Sequence, residues 1–173
     1  MLPFRFCSLL LLSACAMGLQ AQAPDSAIMP LPYAEIPAYP DSVSPESVVA
    51  RMIDGRGFRY YWATEGLRPS DLSWAPGESA RSCEETLAHI HSLALMTLNS
   101  VRGAPNVQGT EAGPPLRFEE MRRETLLVLE AASNSLKQPG ASLDSCRVLF
   151  QRGDRRTEYP FWHLLNGPLA DAL

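Results

Sequence analysis

From Cys83 the residues Cys83, Leu87, Ile90, Ala94, Thr97 and Val101 follow one another at steps of three and four. Only an α-helix gathers that spacing on one face. Ser82 and Glu85 open the run as a capping box, in which each side chain accepts a hydrogen bond from the other's otherwise unpaired backbone N–H. A twenty-residue helix with one apolar stripe needs other apolar elements to bury it, so the rest of the chain has to supply them.

Two further segments carry the same kind of pattern. Ser44-Pro45-Glu46 reads as an N-cap, a proline at the first helical position and an acid at the positive end of the helix dipole. Val49, Met52, Ile53, Phe58, Tyr61 and Trp62 follow, out to Glu65-Gly66. Gly55 and Gly57 weaken this helix by about 1 kcal/mol each relative to alanine, so packing must hold it. After a connector, Leu67 to Gly77, and the Ser82 helix, the stretch from Arg102 to Arg117 carries Gly103, Pro105, Gly109, Gly113, Pro114 and Pro115 and reads as loop. Phe118 to Leu136 makes a third helix, with Met121, Leu126, Leu127, Leu129 and Ala132 on its apolar side, and Gly140 ends it. The period then changes. Arg147 to Gln151 and Arg155 to Tyr159 flank Gly153-Asp154 as a small hairpin, Pro160 to Leu165 reads as one helical turn, and Asn166-Gly167-Pro168 caps a last helix from Leu169 to Leu173. The expected fold is therefore all-α, three long helices and a shortened last helix with a small β-hairpin before it.

The N-terminus has a different character. Arg5, the apolar run Phe6 to Leu12 and the small residues after it have the layout of a secretory signal, too short for a membrane anchor. Leu12-Ser13-Ala14-Cys15 matches a lipobox, in which Cys15 would be acylated, and cleavage near Ala21 or Ala23 is the alternative. The expected organisation is a signal peptide over 1–23, a proline-rich arm over 24–44, and the bundle over 45–173. The chain is then exported, to the periplasm or lipid-anchored to the bacterial envelope. Export leaves Cys83 and Cys146 in an oxidising compartment, where an even pair invites a disulfide; two separately buried thiols are the alternative.

Charge narrows the partners. Lys+Arg 15 against Asp+Glu 19 gives a net charge of −4, with lysine present only at Lys137, which argues against neutralising many phosphates and so against nucleic acid. No uncharged apolar run approaches the ~20 residues of a spanning helix, so membrane contact is expected only through a lipid anchor. Glycine-rich phosphate loops, CxxC, HExxH and GxSxG are all missing from the sequence.

Thr64-Glu65-Gly66-Leu67, Asp71-Leu72, Trp74, Pro76 and Ser82 through Leu87-Ala88-His89-Ile90 together resemble the DinB-like (YfiT-like) superfamily. Phe161-Trp162-His163 and Asn166 to Leu173 resemble the start of that family's fourth helix, so the likeness covers residues 46–173. It implies a four-helix bundle, and an ancestry among metal-dependent hydrolases or thiol S-transferases. It also implies a divalent metal (Zn, Ni or Fe) with His89 as the ligand from the second helix. The family's other ligands come from the fourth helix, past the segment matching Ala170 to Leu173, so the resemblance implies a C-terminally incomplete bundle and an incomplete metal site.

The residues themselves leave more open. His89 and His91 lie about 200° apart around a helix, so both cannot reach one metal, and periodicity does not choose between them. The resemblance chooses His89 and leaves His91 as a solvated or rim residue. His163 follows two aromatics in a tight turn, where a structural hydrogen bond is the default and metal ligation the remoter alternative. Asp171, Glu84, Glu85 and Glu65 are carboxylates that could complete a site, but their spacing singles out none of them.

A last helix from Asn166 to Leu173 would extend only ~12 Å beside a second helix of ~30 Å. The expectation is an apolar groove along more than half of the first three helices, each wet side chain forfeiting roughly 1.5–3 kcal/mol, covered by a second copy or a partner helix. Two functions follow. One is an exported DinB-like protein of hydrolase or transferase ancestry with an incomplete metal site. The other is a non-catalytic envelope protein, binding or structural, whose groove takes a small molecule or a helix. Whether the chain is an enzyme is left open by its residues.

Overall fold

Helix α1 (Pro45–Ala63) starts where its cap dictates: Ser44 Oγ accepts from the Ser47 N–H at 3.1 Å, and Ser47 Oγ accepts from the Ser44 N–H at 2.8 Å. The computed structural model describes residues 30–108 and 115–170. After α1 come a single turn, α2 (Pro69–Leu72), and then α3 (Cys83–Arg102), opened by the Ser82–Glu85 box and closed by Gly103 in the left-handed region at φ 65°. Strand β1 (Pro105–Gln108) precedes α4 (Phe118–Leu136), a 3-10 turn (Leu143–Ser145), β2 (Arg147–Arg152), β3 (Arg155–Pro160) and α5 (Phe161–Asn166).

Helix α4 packs against both long helices, burying Leu126, Leu129 and Ala132. Its Ser133 hydroxyl donates to Ala50 O, and its Arg122 reaches Thr64, so α4 runs opposite to α1. Helix α3 also runs opposite to α1, since Arg56 meets Ile90 O while Tyr60 lies near Cys83. Helices α3 and α4 are therefore parallel, and the segment joining them has to cross the length of the bundle.

That crossover is where the expected fold is overturned. The stretch read as loop contains β1, which pairs in parallel with β2 from Pro105↔Leu149 to Gln108↔Arg152. Strands β2 and β3 form the expected antiparallel hairpin, with Gly153 at φ 56° in its turn, and the sheet order is β1-β2-β3. The protein is thus a mixed helix and sheet structure, not an all-α four-helix bundle. Tertiary pairing makes β1 a strand: β2 has an edge whose backbone groups need partners, and the crossing chain supplies them. Asn106 strengthens the junction, donating from Nδ2 to Leu149 O at 2.9 Å and accepting from Asn99 Nδ2 at 3.0 Å. Pro105 is tolerated because it is the first residue of an edge strand.

The sheet also removes most of the expected groove. Val148 and Leu149 of β2, Phe161 and Leu164 of α5, and Leu169 are all buried, so strand and turn cover the side of α3 that a fourth helix was expected to cover. Helix α5 is only six residues long, and 167–170 are turn where a last helix was expected to begin. The signal, the lipobox with Cys15, and Asp171 lie outside the described residues.

Residues 30–44 run back along α1. The Tyr33 ring, 5% exposed, sits on Gly57, its hydroxyl donating to Asp54 Oδ1 at 3.2 Å. Trp62 Nε1 donates to Ala34 O, Arg51 donates to Pro37 O, and the Arg51 guanidinium lies 4.6 Å from the Tyr39 ring centre. The proline-rich arm is sewn to the helix it precedes.

Candidate functional site

Arg56 and Tyr60 on α1 and Thr64 at its C-cap recur at steps of four and so share the face that looks toward α3 and α4. Arg56 is 1% exposed, with Nη2 donating to Ile90 O at 3.0 Å and Nη1 to Pro168 O at 3.4 Å. It has no carboxylate partner among the described residues, its Nε is unpaired, and burial pushes its pKa down to about 10. The Tyr60 hydroxyl is buried with Thr125 as a polar neighbour but no well-formed hydrogen bond among the described residues, and burial raises its pKa against the pull of Thr125 and the Arg122 and Arg56 guanidiniums. Arg122 donates from Nε to Thr64 Oγ1 at 3.0 Å, pairs with Glu65, and lies 4.8 Å from the Tyr61 ring centre.

His91 belongs to this interior cluster, contrary to its reading as a rim residue. Its side chain is 13% exposed, and Nδ1 lies 2.9 Å from Thr125 Oγ1. Thr125 donates its one hydroxyl hydrogen to Met121 O at 2.7 Å, so His91 Nδ1 is the donor in this pair. Nε2 then faces Glu124 at 3.9 Å. Burial lowers the His91 pKa, and Glu124 opposes that shift.

The metal candidates are not assembled. His89 is half-buried on the other side of α3, while His163 is exposed on α5 with its ring stacked on Tyr159 at 4.5 Å. Glu65 is taken up by Arg122 and Glu85 by the Ser82 cap, and Glu84 is exposed. Among the described residues no three His, Cys, Asp or Glu side chains converge as a metal site, so these donors do not fit a divalent metal. Cys83 and Cys146 are free thiols. Cys83 lies near Tyr60 and Cys146 near Glu46, fourteen residues and so about 21 Å apart along α1, whereas a disulfide needs alpha carbons within about 7 Å.

The larger concavity lies elsewhere. A groove of about 900 Å³ runs between the start of α1, the Leu143–Ser145 turn and α5. Val43 and Val48 line it from the arm and α1, Leu143 from the turn, and Phe161, Trp162 and Leu165 from α5. Val43 is 88% exposed, Val48 48% and Trp162 69%, so the lining is apolar and wet. Asp144 and Arg147 are its charged lining residues, and Ser44 is engaged as the α1 cap. A second hollow of about 520 Å³ lies between α2 and the start of α3, beside Trp74, Arg81 and Cys83.

Among the described residues the groove offers no nucleophile with a base beside it; what it offers is apolar area. It joins residues about 120 positions apart, which no local pattern reports. The one signal in the sequence is that Val43 and Val48 fall outside the Val49–Ile53 stripe of α1. Comparison with family models, with curated proteins and with solved structures finds no match to this chain.

Proposed function

We propose that this chain is an exported, non-catalytic binding protein that takes an apolar small molecule into the groove between α1, the Leu143–Ser145 turn and α5. The observation that carries the reading is that Val43, Val48 and Trp162 stand exposed around one concavity of about 900 Å³. That size lies in the range of small-molecule sites. Apolar surface left in water forfeits about 25 cal/mol per Å², which a ligand covering it would return. Export rests on the pattern of Arg5 and Phe6 to Leu12.

Titration with an apolar fluorescent dye tests the reading. One saturable site is expected, weakened at least tenfold by Val48→Asp, which puts a charge on the wall without touching the core. Dye binding that does not saturate, or that ignores Val48→Asp, refutes it. Sedimentation of the same samples reports whether a second copy covers the groove instead. Metal analysis of protein purified without chelator addresses the hydrolase or transferase ancestry implied by the DinB resemblance. Stoichiometric metal lost on His89→Ala would favour that ancestry over the binding reading.

A further inference from the structure

The charges around the groove are unevenly satisfied. Arg147, its one lining cation, is already occupied: Nη1 donates to Asp144 O and to Cys146 O, both at 2.7 Å, and Nε lies 3.3 Å from Glu158 Oε1. Asp144 is exposed, and its carboxylate meets no cation and no donor among the described residues. Its hydrogen bonds run through its backbone, whose N–H donates to Ser142 Oγ at 3.2 Å while its carbonyl serves Arg147. Next to it, Glu46 Oε1 accepts from the Leu143 N–H, and Glu46's own backbone N–H, followed by this bond, holds the Glu46 carboxyl below its ordinary range. Of the two charged residues that line the groove, the guanidinium is therefore engaged and the carboxylate is not. Trp162 adds an exposed indole to the same groove. A carboxylate without a partner and an aromatic face are the two groups that attract an ammonium.

We infer that the groove selects an apolar molecule with a cationic end, such as an alkylammonium or quaternary ammonium compound, with Asp144 and Trp162 taking the charge and the valines and α5 taking the apolar body. This inference rests on the binding reading above. A neutral molecule would fill the same walls and leave Asp144 unused. An anionic one would meet the Asp144 carboxylate, while the Arg147 guanidinium is already engaged.

The test uses three probes of equal chain length, decyltrimethylammonium, decyl maltoside and decanoate, each below its micellar concentration, titrated calorimetrically into the full chain. The ammonium probe should bind about five- to tenfold tighter than the maltoside, the size of an exposed cation–π contact with a screened charge pair. Decanoate should bind most weakly. Asp144→Asn should bring the ammonium probe down to the maltoside's affinity and leave the maltoside unchanged. Glu84→Gln removes the same charge at the distant start of α3 and should leave the preference intact, which separates a local contact from attraction to the chain's net charge. Decanoate binding as tightly as the ammonium probe, or an ammonium preference that survives Asp144→Asn or falls with Glu84→Gln, overturns the inference while leaving the groove reading standing. Failure of all three probes to bind overturns both.

Discussion

Gly57 sits in the middle of α1, where intrinsic propensity would favour alanine by about 1 kcal/mol. The structure reverses that expectation. A Cβ built at Gly57 would stand 2.5 Å from Cδ2 and Cε2 of Tyr33 and 2.8 Å from its Cγ, so the whole ring would have to leave, not just its tip. Leaving exposes a ring that is now 5% exposed, a loss of about 2–3 kcal/mol. It also breaks the Tyr33 hydroxyl's bond to Asp54, a buried carboxylate that Lys137 Nζ approaches at 2.8 Å, adding about 1–2 kcal/mol. After the alanine gain, Gly57→Ala should destabilise the protein by about 2–4 kcal/mol, lowering the melting temperature by roughly 5–12 °C. Tyr33→Ala should cost about 3 kcal/mol or more. In the Tyr33→Ala background the slot is empty, so adding Gly57→Ala should stabilise by up to about 1 kcal/mol. Urea melts of the four proteins followed by circular dichroism complete the cycle. A Gly57→Ala variant more stable than the parent, or one with the same sign of effect in both backgrounds, would show that Tyr33 does not occupy Gly57's space.

Three other perturbations probe the interior. Arg56→Met should change stability by no more than about 1 kcal/mol in urea melts, because no carboxylate loses its partner, whereas Arg56→Ala should cost about 3 kcal/mol through the void it opens. Burial holds the folded-state pKa of His91 below its unfolded value near 6.5, so the unfolded chain binds the proton more readily. The stabilisation from neutral His91 should be complete above that unfolded value and fall as pH drops through the folded one. Thermal melts from pH 7.5 to 5 should show the decline, and His91→Gln should flatten it; an unchanged slope would disprove the assignment. Cys83, partly exposed, should alkylate in the native protein, while Cys146, buried and with its thiol pKa raised, should react only in denaturant. Peptide mapping by mass spectrometry distinguishes the two, and a native Cys83–Cys146 bridge would contradict the structure.

Some of this architecture is written in local chemistry. The Ser44 and Ser82 caps and the Gly153-Asp154 turn are read correctly because each works through neighbours within four residues, on terms available before the chain folds. The histidines show where that stops. His89 and His91 flank opposite borders of one stripe, and nothing in α3 says which border α4 will cover. Thr125 and Glu124 decide it in favour of His91. Arg56 drew no notice in the sequence because a basic residue on a helix is ordinarily solvated. Its burial depends on Pro168, 112 residues away, closing over it.

Local chemistry in the amino-acid sequence was enough for the three long helices, the Ser44 and Ser82 caps and the hairpin, because capping, periodicity and turn preference are short-range energies. Tertiary structure alone decided that Pro105 to Gln108 is a strand, that a sheet rather than a fourth helix covers α3, and that the valines beside Ser44 face Trp162 across a groove. Each of those outcomes depends on satisfying a backbone edge or an apolar face with a segment remote in the chain, and such satisfaction exists only once both partners are in place.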